Sequence, residues 1–166
     1  MAEIEIKGLE GLQKVLDQLP ARIEANVVRG GLRAAAKVIR DEARRLCPVG
    51  DASSLPKGHQ PGALRDSLRV SVSRRGGKIT ASIKAGGRNR VYYAHMVEFG
   101  TARHLIKPRN RKSLFLAGLF KELVEHPGAS KKPFMRPAMD AKSQEAVEAM
   151  ADYIRARMAA EIVSLK

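Results

Sequence analysis

Two stretches of the chain carry apolar residues at the spacing of an α-helix. In residues 21–46 the apolar positions advance by 4, 3, 4, 4 and 3 residues, which places them on one helical face; they are Val28, Leu32, Ala35, Ile39, Ala43 and Leu46. Pro48 is expected to end this helix because proline lacks a backbone N–H. Gly30 and Gly31 lie within it and indicate either a kink or a close crossing with another element. A second stripe predicts a helix from Pro137 to about Val163; it consists of Val147, Met150, Ile154, Met158, Ile162 and Leu165.

Alternating polarity predicts the strands. Residues 3–7 alternate between charged and apolar side chains and indicate a short strand, after which leucines at helical spacing continue to Pro20. Between residues 68 and 85 two alternating runs flank a Gly76-Gly77 pair, which is typical of an antiparallel hairpin with a two-residue turn. One face of this hairpin is apolar, so we expect helices to cover it. Residues 105–132 hold short apolar runs and predict short strands and turns.

No internal repeat and no linker divides the chain, so a single domain over residues 1–166 is expected. Residues 48–62 contain three prolines, three glycines and two serines without an apolar period. This composition predicts a flexible loop that can become ordered against a partner. Residues 63–66 are expected to form one helical turn after it.

Composition narrows the class of protein. Aromatic residues make up 4% of the chain and Trp is absent, so the core must consist mostly of small aliphatic side chains. Cys47 is the only cysteine, which excludes an intrachain disulfide and a thiolate zinc cluster. We interpret it as a small apolar core residue. The chain lacks the apolar run of a secretory signal and the roughly 18–20 apolar residues of a membrane span. We therefore expect the protein to be made and used in the cytoplasm, without membrane association.

The net charge of +14 is unevenly distributed. Residues 57–90 carry nine basic side chains and one acidic one, and residues 102–132 carry eight basic and two acidic, whereas residues 133–166 are neutral overall. Such a field attracts polyanions or acidic protein surfaces, although it is equally consistent with a merely soluble basic surface. The candidate polyanion contacts are Arg74, Arg75, Arg88, Arg90, Arg109, Arg111 and Lys112. The basic strands carry no stacking aromatics, so contact with the nucleic-acid backbone is expected rather than base reading.

The residues give little support to an enzyme. None of the four histidines forms a His-x-x-x-His pair, and neither a Gly-x-Ser-x-Gly elbow nor a phosphate-binding Walker motif is present. Glu98 is the isolated acid of the basic middle and has no evident catalytic partner. We interpret it as a residue that shapes a turn, by accepting from the N–H of Gly100 or Thr101 or by pairing with Arg103. We therefore expect no catalytic residue, no cofactor and no metal.

Several motifs, in their order along the chain, carry a family resemblance. A long helix ends at Cys47-Pro48, and a Gly-Ala-Leu-Arg-Asp-Ser-Leu block begins at Gly62. The specific blocks follow: Tyr-Ala-x-x-Val-Glu-Phe-Gly-Thr over residues 93–101, His-Pro-Gly over residues 126–128, and Lys-Pro-Phe-Met-Arg-Pro-Ala over residues 132–138. Over nearly its whole length the chain resembles the neck, or tail-completion, proteins of long non-contractile-tailed phages.

This resemblance implies an α+β fold, with a small antiparallel sheet packed against a long N-terminal helix and a C-terminal helix. It implies a structural virion protein of the head–tail junction, a ring around the DNA channel, with a hexamer favoured and a dodecamer as the alternative. Its partners would be head-completion or connector proteins and tail-terminator or tail-tube proteins, with non-specific contact to packaged DNA. The alternatives are a ring protein of the tail tip or shaft, a sequence-independent DNA-binding protein that uses the basic middle, and an enzyme.

The resemblance also implies a set of motif and interface residues. They are Tyr92, Tyr93, Glu98, Phe99, Gly100, Thr101, His126, Pro127, Gly128, Pro133, Phe134 and Pro137. Each can instead serve core packing, and for Phe99 and Phe134 both interpretations stay open at this point. Pro137 is well suited to the start of the last helix.

Overall fold

The computed structural model describes residues 21–51, 60–87, 91–108, 112–116 and 118–164. The strand predicted at residues 3–7 and the leucine-rich helix after it lie outside the described residues, and so does most of the predicted loop at 48–62. The chain forms two compact units. We call residues 1–92 together with 134–166 the core unit, and residues 93–133 the insert unit.

Along the chain, one long helix precedes the short strands and another long helix follows them. In chain order the elements are α1 (Ala21–Leu46), α2 (Ala63–Ser67), β1 (Arg69–Arg75), β2 (Lys78–Lys84), α3 (Ala94–Phe99), β3 (His104–Ile106), β4 (Leu114–Leu116), β5 (Leu119–Lys121), β6 (Val124–His126) and α4 (Met135–Ser164). The two long helices, the hairpin and the strands after residue 104 confirm the sequence pattern. Helix α3 was not predicted, because its six residues are too short to show a helical period.

The core unit is built on the packing of α1 against α4. A Cβ atom at Gly31 would lie 3.1 Å from Met150 Cγ and 3.2 Å from Ile154 Cδ1, and one at Gly30 would overlap the Tyr153 ring. Both glycines therefore mark a close helix crossing, one of the two outcomes that the sequence predicted. Ile154 is completely buried at this crossing.

The apolar side of α1 is broader than the predicted stripe. Ile39 and Ala43 are buried as expected, whereas Val28 and Leu32 are only half-buried, and Val27 and Ala36 are buried instead. The reason is that α1 contacts both α4 and the β1–β2 hairpin, so two neighbouring faces of the helix are covered. The remaining buried apolar residues are Cys47, Leu64, Leu68, Val91, Phe134, Ala138 and Ala146.

The hairpin of the core unit has the predicted two-residue turn. Strands β1 and β2 pair antiparallel, with Val70 opposite Ile83 and Val72 opposite Ala81, and Gly76 and Gly77 form the turn. These four apolar residues share one face and are half-buried, and the hairpin packs on α1. The helix cover that the alternating pattern predicted is thus present.

The insert unit contains α3 and two further two-stranded antiparallel sheets. Strand β3 pairs with β6, and β4 pairs with β5 as a tight hairpin. The fold class is therefore α+β, as expected, although the strands form three small sheets rather than one. None of the described helices combines the length and the apolar character needed to cross a membrane.

Candidate functional site

The motif at residues 93–101, here called the signature segment, begins where the chain leaves the core unit. The core unit ends its first part at Tyr92, and the insert unit starts at Tyr93 and runs to Pro133, after which Phe134 returns to the core unit. The chain therefore leaves the core unit at the start of the motif at residues 93–101 and returns to it within the motif at residues 132–138. Tyr92 is 69% exposed and Tyr93 is half-buried.

Gly100 ends helix α3 because no other residue fits its position. Its φ is 75°, and a Cβ atom there would lie 2.6 Å from the carbonyl oxygen of Ala129 and 3.0 Å from the backbone nitrogen of Lys131. The positive φ alone disfavours side chains, and the close backbone excludes them. The glycine of the Phe-Gly-Thr motif is therefore required because the backbone of residues 129–131 passes close to it.

Thr101 and Ala129 form a pair of backbone hydrogen bonds next to Gly100. The Thr101 N–H donates to the Ala129 carbonyl at 3.0 Å, and the Ala129 N–H donates back to the Thr101 carbonyl at 3.1 Å. Thr101 Oγ1 also accepts from the Ala129 N–H at 2.9 Å. Nearby, the Lys132 N–H donates to the Val97 carbonyl at 2.8 Å. Backbone hydrogen bonds therefore join the segment at 93–101 to the segment at 126–132.

Gly128, on the other segment of this contact, also has a positive φ and a closely approaching backbone. Its φ is 88°, and a Cβ atom there would overlap the Thr101 carbonyl oxygen and lie 2.9 Å from the Ala102 carbonyl carbon. The structure thus brings together two sequence blocks, Phe-Gly-Thr and His-Pro-Gly, that the motifs named separately. Each block supplies a glycine that admits the backbone of the other.

Two histidines stabilise the same region. His104 and His126 are cross-strand partners of β3 and β6, and their ring centroids lie 5.0 Å apart. His126 Nδ1 accepts a hydrogen bond from the Gly128 N–H at 3.0 Å, which fixes the turn at residues 126–128. His126 therefore has a positioning role within the insert unit.

Glu98 is buried, with 9% of its surface exposed, and two of the three groups expected to pair with it contact other residues. The Thr101 N–H donates to Ala129, and Arg103 forms an ion pair with Glu125. Among the described residues no group of three or more His, Cys, Asp or Glu side chains lies close enough together to hold a metal ion. A structural role of Glu98 within the turn remains the prediction.

Phe99 and Phe134, which had the same two interpretations, differ completely in burial. Phe99 is 75% exposed at the end of α3, whereas Phe134 is fully buried and is the largest fully buried side chain of the described core. Phe134 therefore supplies core packing. Pro133 before it is exposed, and Pro137 lies half-buried in the first turn of α4, where a missing N–H leaves no hydrogen bond unmade.

The insert unit exposes most of its large apolar side chains. Those exposed are Met96, Phe99, Leu105, Ile106, Phe115, Leu119, Phe120 and Leu123. Phe115 and Phe120 face each other across the β4–β5 hairpin with ring centroids 5.0 Å apart, and they are 66% and 75% exposed. Within the described part of residues 93–133 no apolar residue is buried. This unit has an apolar surface without an apolar core.

The structure describes three of the seven predicted polyanion contacts. Arg74 and Arg75 lie exposed at the end of β1, and Lys112 lies exposed in the insert unit. Arg88 and Arg90, together with Arg109 and Arg111, lie outside the described residues. Their role remains a prediction.

A more regular group of cations lies on α1, and the sequence reasoning missed it. Arg29, Arg33, Lys37, Arg40 and Arg44 advance by 4, 4, 3 and 4 residues, so they occupy one helical face. Two grooves follow this face, with volumes of about 500 and 310 Å³. This spacing is present in the sequence. Net charge does not reveal it, because three acidic residues on α1 partly offset the positive charge of its Lys and Arg side chains.

Comparison with known proteins gives one family. A family model described as "Bacteriophage HK97-gp10, putative tail-component" matches residues 10–100, just over half of the chain. The match includes α1, the β1–β2 hairpin and the signature segment as far as Gly100, whereas the blocks at 126–128 and 132–138 lie beyond it. No curated protein and no solved structure matches the chain. Membership of a tail-component family implies a place in the virion among other structural proteins. The chain belongs to the HK97-gp10-like family of phage tail components.

Proposed function

We propose that the protein is a non-enzymatic component of the phage head–tail junction, where copies of the chain form a ring that joins the DNA-filled head to the tail. A hexamer is the favoured state, with a dodecamer as the alternative. The neighbours in the neck would be a head-completion or connector protein on one side and a tail-terminator or tail-tube protein on the other. The exposed apolar surface of the insert unit is the observation that carries this proposal.

The physical argument starts from the size of the insert unit. Units of about 40 residues rarely bury enough apolar surface to be stable alone, and disulfides, metals or oligomerisation usually compensate. The only cysteine, Cys47, lies in the core unit, and the described residues contain no metal cluster. Association with another protein is the route that the exposed apolar side chains of this unit favour. Burial of one Phe or Leu side chain contributes about 1.5–3 kcal/mol, so contact over this surface gives a strong driving force.

Ring assembly also explains why the apolar residues fall on separate segments of the insert unit. A head-to-tail ring contact joins two different surfaces of each subunit. Phe99 ends α3, whereas Phe115 and Phe120 lie on the β4–β5 hairpin. We assign these two segments to the two different contact surfaces, and backbone hydrogen bonds at Thr101 and Ala129 connect the segment at 93–101 to the segment at 126–132.

The test uses phage in which the chain is replaced by variants. We expect Phe115→Ser with Phe120→Ser to leave unjoined heads and tails, counted by electron microscopy, and to abolish the ring mass measured by light scattering of assembled material. The matched control is Met139→Ser, which changes a 46% exposed apolar residue on α4 of the core unit and should join heads to tails at normal yield.

Two results would contradict the proposal. Normal joining by the Phe115 and Phe120 variant would remove the insert unit from the subunit contacts. Completed heads joined to tails in phage that lack the chain would remove the protein from the junction, and a defect confined to the tail tip or shaft would assign it there. A Phe99→Ala variant sharpens the test, because it removes only the apolar surface at the end of α3.

A further inference from the structure

Five of the cations of α1, from Arg29 to Arg44, lie on one face of the helix and form a basic surface. Since an α-helix rises about 1.5 Å per residue, the line from Arg29 to Arg44 extends over roughly 22 Å. The two grooves beside it share Arg33 and Lys37 in their walls, so they adjoin along the helix and are described together as the basic groove. Arg69 at the start of β1 adds a sixth cation to the wall of the larger part.

The charge of this groove is only partly compensated. Asp66 is the acidic residue in the wall of the larger part, and it already accepts from Arg65 at 3.1 Å. Arg40 pairs with Asp41 at 2.6 Å. Within the described part of the chain, neither Arg33 nor Lys37 forms an ion pair, and both are exposed. The groove therefore retains a net positive charge along its length.

Arg44 is fixed in the wall of the larger part of the groove. One terminal nitrogen of its guanidinium donates to the Leu68 carbonyl at 3.1 Å. This hydrogen bond holds the guanidinium in the groove wall, where its charge adds to the basic surface.

The chemistry of the walls favours a phosphate backbone over an acidic protein. Guanidinium groups bind phosphate oxygens through paired N–H donors, and five of the six cations are arginine. Protein interfaces normally add apolar anchors. None of the exposed large apolar residues of the described chain lines the larger groove, and Tyr153 alone borders the smaller one. A long open row of cations fits a repeating anion better than a single small one.

We propose that the basic groove along α1 binds the phosphate backbone of duplex DNA without reading its sequence. This inference rests on the proposed function for its setting, in which the ring surrounds the DNA channel. It names the face of the core unit that meets the DNA, and it replaces the scattered arginines of the strands and loops as the principal contact.

The experiment measures binding of the purified chain to a fluorescent duplex of mixed sequence by anisotropy, at several salt concentrations. The groove variant combines Arg33→Gln with Lys37→Gln. Each lost phosphate contact lowers the slope of log K against log salt by about 0.9, so we expect the slope to fall by about two and the affinity to drop at least about tenfold at low salt. The charge-preserving variant, Arg33→Lys with Lys37→Arg, should keep most of the affinity.

The competing contacts on the strands are tested by Arg74→Gln with Arg75→Gln, which should lower the affinity less than the groove variant does. It removes the same charge from exposed positions at the end of β1, outside the groove walls. An equal loss in both double variants would overturn the proposal, because it would assign binding to diffuse charge. Competition by polyglutamate at the same charge concentration as the DNA would also overturn it in favour of an acidic protein partner. Unchanged thermal unfolding of each variant confirms that the fold is intact.

The two proposals can fail independently. If the purified chain does not bind DNA but the Phe115 and Phe120 variant still separates heads from tails, only the groove proposal fails. If the groove binds DNA as expected but heads and tails join without the chain, the proposed junction role fails alone.

Discussion

The core unit and the insert unit are each stabilised by a different kind of interaction. The core unit buries Phe134, Leu68 and Ile154 almost completely, and most of its stability must come from this apolar packing. In the insert unit the well-defined interactions are backbone hydrogen bonds around Thr101 and Ala129, while large apolar side chains such as Phe120 face solvent. The comparison teaches that one chain can contain both a unit with a buried apolar core and a unit whose large apolar side chains are mostly exposed.

The largest expected effect of a substitution on this comparison lies in the core unit. We expect Phe134→Ala to lower the free energy of unfolding by about 3–5 kcal/mol, since it removes a fully buried ring and leaves a cavity. Phe120→Ala should change the free energy by no more than about 0.5 kcal/mol, because that ring is 75% exposed. Urea unfolding followed by circular dichroism measures both. Similar losses in the two variants would mean that the insert unit contributes as much to folding as the core unit does.

The helix crossing offers a test of intermediate size within the core unit. Gly31→Leu should destabilise by about 1–3 kcal/mol, because its side chain must displace the buried Ile154. Gly30→Ala is the matched variant: its Cβ meets the far end of the Tyr153 ring, which is 39% exposed and can turn toward solvent. Alanine also gains about 1 kcal/mol of helix propensity over glycine, so this change should be close to neutral. Thermal unfolding of both variants checks the order, and a Gly30→Ala loss as large as that of Gly31→Leu would contradict the described crossing.

The smallest effect on global stability is expected in the insert unit. Gly128→Ala should open the contact between Thr101 and Ala129, because the added Cβ overlaps the Thr101 carbonyl. Gly118→Ala is the control, since its φ of 83° is similar but nothing lies within 4 Å of the added atom. We expect faster hydrogen exchange at residues 101 and 129 in the first variant alone, with the unfolding midpoint of the core unit unchanged. A large shift of that midpoint would show that the two units unfold together.

The fold could be predicted from the sequence wherever apolar periodicity was long enough to be read. Helices α1 and α4 and the β1–β2 hairpin follow directly from spacing and from the Gly76-Gly77 turn. Helix α3 was missed because six residues do not complete two turns. The division into two units could not be predicted, because neither junction, after Tyr92 or after Pro133, carries a linker composition.

The candidate site shows the same limit. The motif residues Gly100 and Gly128 were identified from the sequence, but their reciprocal fit depends on a contact between segments that are far apart along the chain. Local spacing carries no information on such a contact. Phe99 and Phe134 could not be separated by residue type, and only the tertiary structure assigns one to the surface and the other to the core. The basic face of α1 could have been found, because its 4, 4, 3 and 4 spacing is a local pattern.

The most direct test of the account is hydrogen exchange of residues 93–133, measured by mass spectrometry in the monomeric chain and in the assembled particle. We predict fast exchange of the β4–β5 hairpin in the monomer and strong protection in the particle, with the helices α1 and α4 protected in both. Equal protection of this hairpin in the two states would contradict the claim that its exposed apolar surface is completed by a neighbouring subunit.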